Sequence, residues 1–192
     1  MVNNQPITKH SPVVGKVKKL YKTGYALSER ISFTALMSRS RQAGNHFLAF
    51  YDHGLFVGFA YFVTVGKMTM VQYLAVQPAL RSRGYGTDIL KQIRFYTQTD
   101  KLLVTVPSGQ DFAGGNHQQQ TFYLQNGLLA KGAAIIVGND RFTVLSNFGD
   151  FTKADYLALY NQFTGHRGWF VSDPVIHLAD DVSQYSTGVG LL

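Results

Sequence analysis

The segment YLAVQPALRSRGYGTDIL, residues 73–90, leaves few folds open to this chain. An apolar, β-branched run stops at Pro78, which cannot donate to a sheet ladder. A few residues later Ile89, Leu90, Ile93 and Phe95 recur on roughly one helical face. Between strand and helix stands Arg81-x-x-Gly84-x-Gly86. Such a junction has the physics of an anion site: glycines let the backbone come close to a phosphate, successive N–H groups point outward, and the helix N-terminus adds partial positive charge. A diphosphate suits it, although the same spacing also serves a tight strand-to-helix turn with no ligand. A dinucleotide fingerprint would need a third glycine or alanine near Ile89, and a P-loop would need Gly-Lys-Ser/Thr; neither is present.

Around that junction the chain alternates helical and strand patterns. Val17, Leu20 and Tyr21 fit a short amphipathic helix whose other face carries Lys16, Lys18, Lys19 and Lys22, read as a solvated basic face. Ser32 reads as an N-cap, followed by FTALMSRSRQAG with a glycine stop at Gly44. HFLAFYDHGLFVGFAYFVTV and KMTMVQYLAVQP predict a three-stranded meander, turning at Asp52–Gly54 and again at Gly66. After the helix come a buried strand KLLVTVP and a loop SGQDFAGG. NHQQQTFYLQNG then predicts a helix closed by Gly127, and a hairpin through Asn139 and Asp140 follows. DFTKADYLALYNQFTG predicts a last helix capped by Thr152, and the remainder reads as an irregular tail. This divides into an N-terminal arm 1–13, a domain 14–165 and a C-terminal tail 166–192.

Composition narrows the chemistry. The absence of cysteine excludes disulfides, thiolate metal sites and a cysteine nucleophile. No stretch approaches the roughly 18 apolar residues of a membrane span, and no apolar leader begins the chain, so a cytoplasmic protein with no membrane partner is expected. A net charge of +7 suits a phosphate-bearing partner but does not choose one. Nucleic acid is the weakest choice, because the aromatic residues alternate with aliphatic ones in strand patterns and read as core. Glu29 is the one glutamate, which limits the choice of a catalytic base.

LAVQPALRSRGYG is similar to the central motif of the GCN5-related N-acetyltransferase (GNAT) superfamily. NHQQQTFYLQNGL, with Asn116, Tyr123 and Gly127, resembles that family's second signature. The likeness covers roughly residues 14–165. It implies an α/β (α+β) fold with a mixed, mostly antiparallel central sheet flanked by helices on both faces. It also implies an acyl-CoA-dependent N-acetyltransferase that moves an acetyl group from acetyl-CoA to a primary amine by direct attack, without a metal.

Carried over position by position, the resemblance implies that the backbone of Leu74, Ala75 and Val76 pairs with the pantetheine arm. Leu74 would donate its amide to the thioester carbonyl, stabilising charge that develops there. The pyrophosphate would lie on the amides of Ser82, Arg83, Gly84, Tyr85, Gly86 and Thr87, with charge-assisted contacts from Arg81 and Arg83. Tyr123 matches the general acid: a phenol of pKa near 10 can protonate a departing thiolate. Asn116 and Tyr123 would both touch the cofactor, Asn116 by a hydrogen bond to its arm; helix capping is the alternative for Asn116, and core packing the alternative for Tyr123.

The base position departs from the family pattern. Thr105 and Gln72 stand where members carry an acid, and neither takes a proton at neutral pH. Asp111, His117, Glu29 and His46 are the candidates that remain. The resemblance puts the acceptor among Tyr25, Glu29, Arg30, Phe33 and the hairpin around Asn139–Arg141, taking a small-molecule or peptide amine. The alternative function is a catalytically degenerate acyl-CoA-binding or partner-binding module. The aromatic tail with Trp169 and Phe170 could cover a sheet face or a second copy in a homodimer.

Overall fold

Runs of alternating aromatic and β-branched residues form the strands, and the periodic segments form the helices, in a computed structural model that describes residues 2–108, 115–137, 140–150, 152–165 and 175–177. The chain divides into two compact units, residues 1–100 and 101–192. The fold is mixed α/β, and the strand pairings within each unit are antiparallel.

In the first unit β1 (Asn3–Pro6), β2 (Asn45–Asp52), β3 (Leu55–Val65) and β4 (Met68–Val76) lie side by side in that order. α1 (Val14–Gly24), α2 (Phe33–Arg39) and α3 (Tyr85–Thr97) complete it. Cross-strand partners share a face, so ring contacts show what covers each side. Phe47, Phe59 and Tyr73 meet Tyr21 of α1 and Phe33 of α2. On the opposite face His46 and Phe62 meet Tyr96 of α3. With both faces covered, β3 is buried almost throughout.

The expected turns and caps hold. His53 and Gly54 take positive φ at 47° and 81°, the pair a tight hairpin needs, and Gly66 does so at 56°. Ser32 accepts the Ala35 amide at 3.1 Å and caps α2. Three expectations fail. α2 ends at Arg39 with Ser40 as its C-cap, short of the stop expected at Gly44. Phe95 is 81% exposed, while Ile89, Leu90 and Ile93 of the same helix are fully buried, so the apolar stripe of α3 stops at Ile93. The sequence reading also has no strand before α1, yet NNQP pairs with β2 as an edge strand.

The second unit orders β5 (Lys101–Pro107), β7 (Asp140–Ser146), β6 (Leu129–Val137) and β8 (Val175–His177) side by side. β8 falls in the stretch expected to be irregular. α4 (Gly115–Gln125) ends in a paired-bond motif: Leu128 N–H donates to Tyr123 O and Gly127 N–H to Leu124 O, both at 3.0 Å, with Gly127 at φ 79°. α5 (Lys153–Thr164) starts at Thr152, whose hydroxyl accepts the Asp155 amide at 3.2 Å as expected.

Candidate active site

Two features of β4 shape the site. Tyr61 faces Tyr73, but its neighbour Phe62 faces Val71, so Gln72 is an extra residue in β4. Without this bulge Tyr73 would share the face of Val71; with it, Tyr73 turns toward α1. The second feature is Gly58, which faces Val76. A Cβ there would lie 2.3 Å from the Ala75 carbonyl oxygen, so only glycine lets β3 approach the end of β4 this closely.

The junction is a tight turn between β4 and α3. A short turn at Pro78–Leu80 leads to Arg81, then Ser82 takes φ 59° and Gly84 takes φ 84° before α3. Gly84 is the N-cap and offers no side-chain acceptor. The helix ladder starts only with Asp88 N–H to Gly84 O at 3.1 Å, which leaves the amides of Tyr85, Gly86 and Thr87 outside it. Ser82, Arg83 and Gly84 are exposed, and Arg81 turns its Nε back to the Val76 carbonyl at 3.4 Å. Alternating backbone hands and free amides at a helix head make a concavity suited to an anion. Tyr85 is anchored by Asp52, 33 residues away in sequence, to which its hydroxyl donates at 2.9 Å. That bond holds the Asp52 carboxyl below its usual value and pushes the Tyr85 phenol up.

Residues expected at the acceptor gather on β4. Gly24 closes α1 against Ala75, which brings Tyr25 to the strand. Leu74 N–H donates to the Tyr25 hydroxyl at 2.7 Å, and that hydroxyl donates to the Leu74 carbonyl at 2.8 Å. Tyr25 packs edge-on against Tyr73, centroids 5.0 Å apart. The Tyr73 hydroxyl donates to the Glu29 carbonyl and Tyr21 to the Ile31 carbonyl, both at 2.9 Å. Burial pushes the Tyr21 and Tyr73 phenols well up, so both stay protonated donors. The segment 25–31 is thus fastened by phenols at three points. Phe33 lies behind it, between Tyr21 and Phe47.

The base candidates separate. Glu29 spends its carboxylate on the Ala26 amide at 2.8 Å, capping its own turn, and Arg30 Nε donates to the Ala26 carbonyl at 3.2 Å. His46 pairs with Thr64 Oγ1 at 3.1 Å and stacks on Phe62 on the α3 face. It stands two strands from Leu74, about 10 Å across the sheet, and is not brought to it. Asp111 and Asn139 lie outside the described residues, as do Trp169 and Phe170. Asn116 and His117 are described only as backbone of α4. Among the described residues no group of three acidic or histidine side chains could hold a metal ion. No helix among them is long and apolar enough to cross a membrane.

In the second unit Tyr123 is buried beside Phe122, and its hydroxyl bonds Gln119. Burial outweighs that bond and pushes the phenol well up, which keeps it protonated and makes it a weaker acid. Thr105 sits in β5 opposite Val144, and Arg141 is exposed in β7.

Sequence reasoning gave Asp52 only a place in a turn and passed over Gly58 and Tyr73. A glycine inside the strand pattern FVGFAYF was a legible signal for a close backbone approach. Nothing in the sequence links Asp52 to Tyr85.

Residues 43–127 match the model of the Acetyltransferase (GNAT) domain. The chain is similar in structure to a GNAT-family protein from Bacteroides thetaiotaomicron, with TM-score 0.63 and 18% identity, covering 84% of this chain and 96% of that one. It is also similar to the ribosomal-protein-S18-alanine N-acetyltransferase from Escherichia coli, with TM-score 0.55 and 12% identity over 76% and 92% of the two chains. A GNAT family acetyltransferase from Elizabethkingia anophelis with acetyl-CoA bound gives TM-score 0.53 and 12% identity over 76% and 96%. At these identities the likeness is one of fold. Among curated proteins no sequence match is found.

Proposed function

We propose that this chain, which has the GNAT fold and a GNAT acetyltransferase domain at residues 43–127, moves an acetyl group from acetyl-CoA to a primary amine by direct attack. One observation carries the reading: Ser82 and Gly84 in the left-handed region turn the backbone of residues 82–87 into an amide cradle at the head of α3, directly after the LAV end of β4. A structural relative that holds acetyl-CoA supports it.

Acetyl-CoA would supply an activated carbonyl and a thiolate leaving group. The cradle, with Arg81 and Arg83, would hold the diphosphate, and the strand end Leu74–Val76 would pair with the pantetheine amides. The amine lone pair attacks the carbonyl carbon while the Leu74 N–H takes the charge growing on oxygen. The carbon–sulfur bond then breaks, Tyr123 gives its proton to the sulfur, and the amine's surplus proton leaves to water or to Asp111 or His117. Acetylated amine and free CoA are the products. Tyr25, Glu29 and Arg30 would face the acceptor, a small molecule or a peptide, with Phe33 supporting them from behind, in a protein working in the cytoplasm.

A second reading, a module that binds acyl-CoA without turnover, is favoured by Glu29, whose carboxylate is committed to capping. Purified protein with acetyl-CoA and a panel of peptides, amino acids and aminoglycosides separates the two. Release of free thiol with at least one amine supports transfer. Calorimetric binding of CoA with silence across the panel supports the module, and no binding at all removes both.

A further inference from the structure

In a β-strand the N–H and C=O of one residue point the same way, toward one neighbour. At Leu74 both are taken by a single oxygen, the Tyr25 hydroxyl, at 2.7 and 2.8 Å. Leu74 faces Ala60 of β3, but its hydrogen-bonding groups look to the other edge. An extended ligand arm with a carbonyl for the N–H and an amide for the C=O would make the same two bonds. The phenol therefore imitates a strand-like ligand at the residue where, on the proposed transferase function, the thioester carbonyl must sit.

We propose that Tyr25 is a positioning residue that occupies the acyl-carbonyl site of Leu74 until a thioester displaces it, so that arrival of the acyl donor and release of Tyr25 toward the acceptor are one event. The surrounding geometry allows a side-chain swing without loss of the segment. Tyr73 still holds the Glu29 carbonyl and Tyr21 still holds the Ile31 carbonyl when Tyr25 leaves. Tyr25 is half-buried, whereas Tyr21 and Tyr73 are buried, so of the three rings it is the one with room to move. In this scheme the donor binds first and the amine second, and the displaced ring becomes part of the acceptor wall.

This inference rests on the proposed function, and the test keeps the two apart. Acetyl-CoA and CoA are titrated into the unsubstituted protein and into Tyr25→Phe by calorimetry. The substitution keeps the ring and removes the competing hydroxyl. The expected result is acetyl-CoA binding tighter by roughly fivefold or more in Tyr25→Phe, the worth of about one net hydrogen bond. CoA, which has no thioester carbonyl, should gain clearly less. Equal or weaker acetyl-CoA binding in the variant overturns Tyr25 as occupant and leaves the transferase reading standing. An unsubstituted protein that binds neither ligand overturns both. If Tyr25→Phe does not fold, carbon-13 NMR of tyrosine-labelled unsubstituted protein decides. The Tyr25 ζ-carbon resonance should shift with acetyl-CoA and shift less with CoA, and a resonance that acetyl-CoA leaves in place overturns the proposal.

Discussion

Tyr123 and His46 show how burial sets what a side chain can do. The Tyr123 phenol is held protonated by burial, so it can serve as a proton donor and not as a base. Removal of its hydroxyl by Tyr123→Phe is expected to lower kcat about a hundredfold, in the range of general-acid effects, with the KM for acetyl-CoA little changed. Thiol release measured on both proteins checks this. The fold should lose only about 1 kcal/mol, since one bond to Gln119 is given up. His46 is pulled the other way: burial lowers its pKa from 6.5. The unfolded chain then binds a proton that the folded chain resists, so the contribution of His46 to stability is whole above about pH 6.5 and falls as pH drops below it. Urea midpoints at pH 7.5 and pH 5.5 should differ more for the unsubstituted protein than for His46→Gln. Equal differences would show that His46 is not the group responsible.

At the scale of the element, β4 decides the site, and it is the element whose geometry the sequence least discloses. The turns at Gly54, Gly66 and Gly127 and the caps at Ser32 and Thr152 were legible, because glycine and short polar side chains answer local backbone needs. So was the tight turn into α3 at Gly84, for the same reason. The bulge at Gln72 was not, because an extra residue in a strand is defined by its partner, and register is a long-range property. The strand NNQP was hidden likewise: its polar, proline-ended composition suits an edge and carries no apolar alternation. Two substitutions test the close geometry. Gly58→Ala places a methyl against the Ala75 carbonyl and is expected to cost about 1–3 kcal/mol in urea unfolding, because neither backbone can retreat without breaking the ladder. Gly84→Ala meets open space but must hold φ 84°, a strain of roughly 1–2 kcal/mol. It should weaken CoA binding about tenfold while leaving the sheet's unfolding cooperative. A Gly84→Ala protein that binds CoA as well as the original would remove the cradle from the function.

For the molecule as a whole the question is whether its net charge of +7 would attract the proposed acyl-CoA ligand or only accompany it. The two sources of positive charge are distinct in the fold. Lys16, Lys18 and Lys19 stand on the exposed side of α1, opposite the buried Val17, Leu20 and Tyr21, whereas Arg81 and Arg83 sit in the cradle loop. At physiological ionic strength exposed charges are screened beyond about 8 Å, so on the local reading lysines outside the loop should act weakly and arginines within it strongly. Replacing the three lysines by glutamine lowers the net charge from +7 to +4 (7 − 3). That variant is expected to bind CoA within about twofold of the original at 0.15 M salt, while Arg81→Gln with Arg83→Gln, which removes only two charges, should weaken binding tenfold or more. Titrations repeated at 0.05 M salt should widen the lysine effect and scarcely alter the ranking. If the lysine variant loses as much as the arginine one, attraction is a property of the whole surface. The local reading of the cradle would then fail even though the fold around it stands.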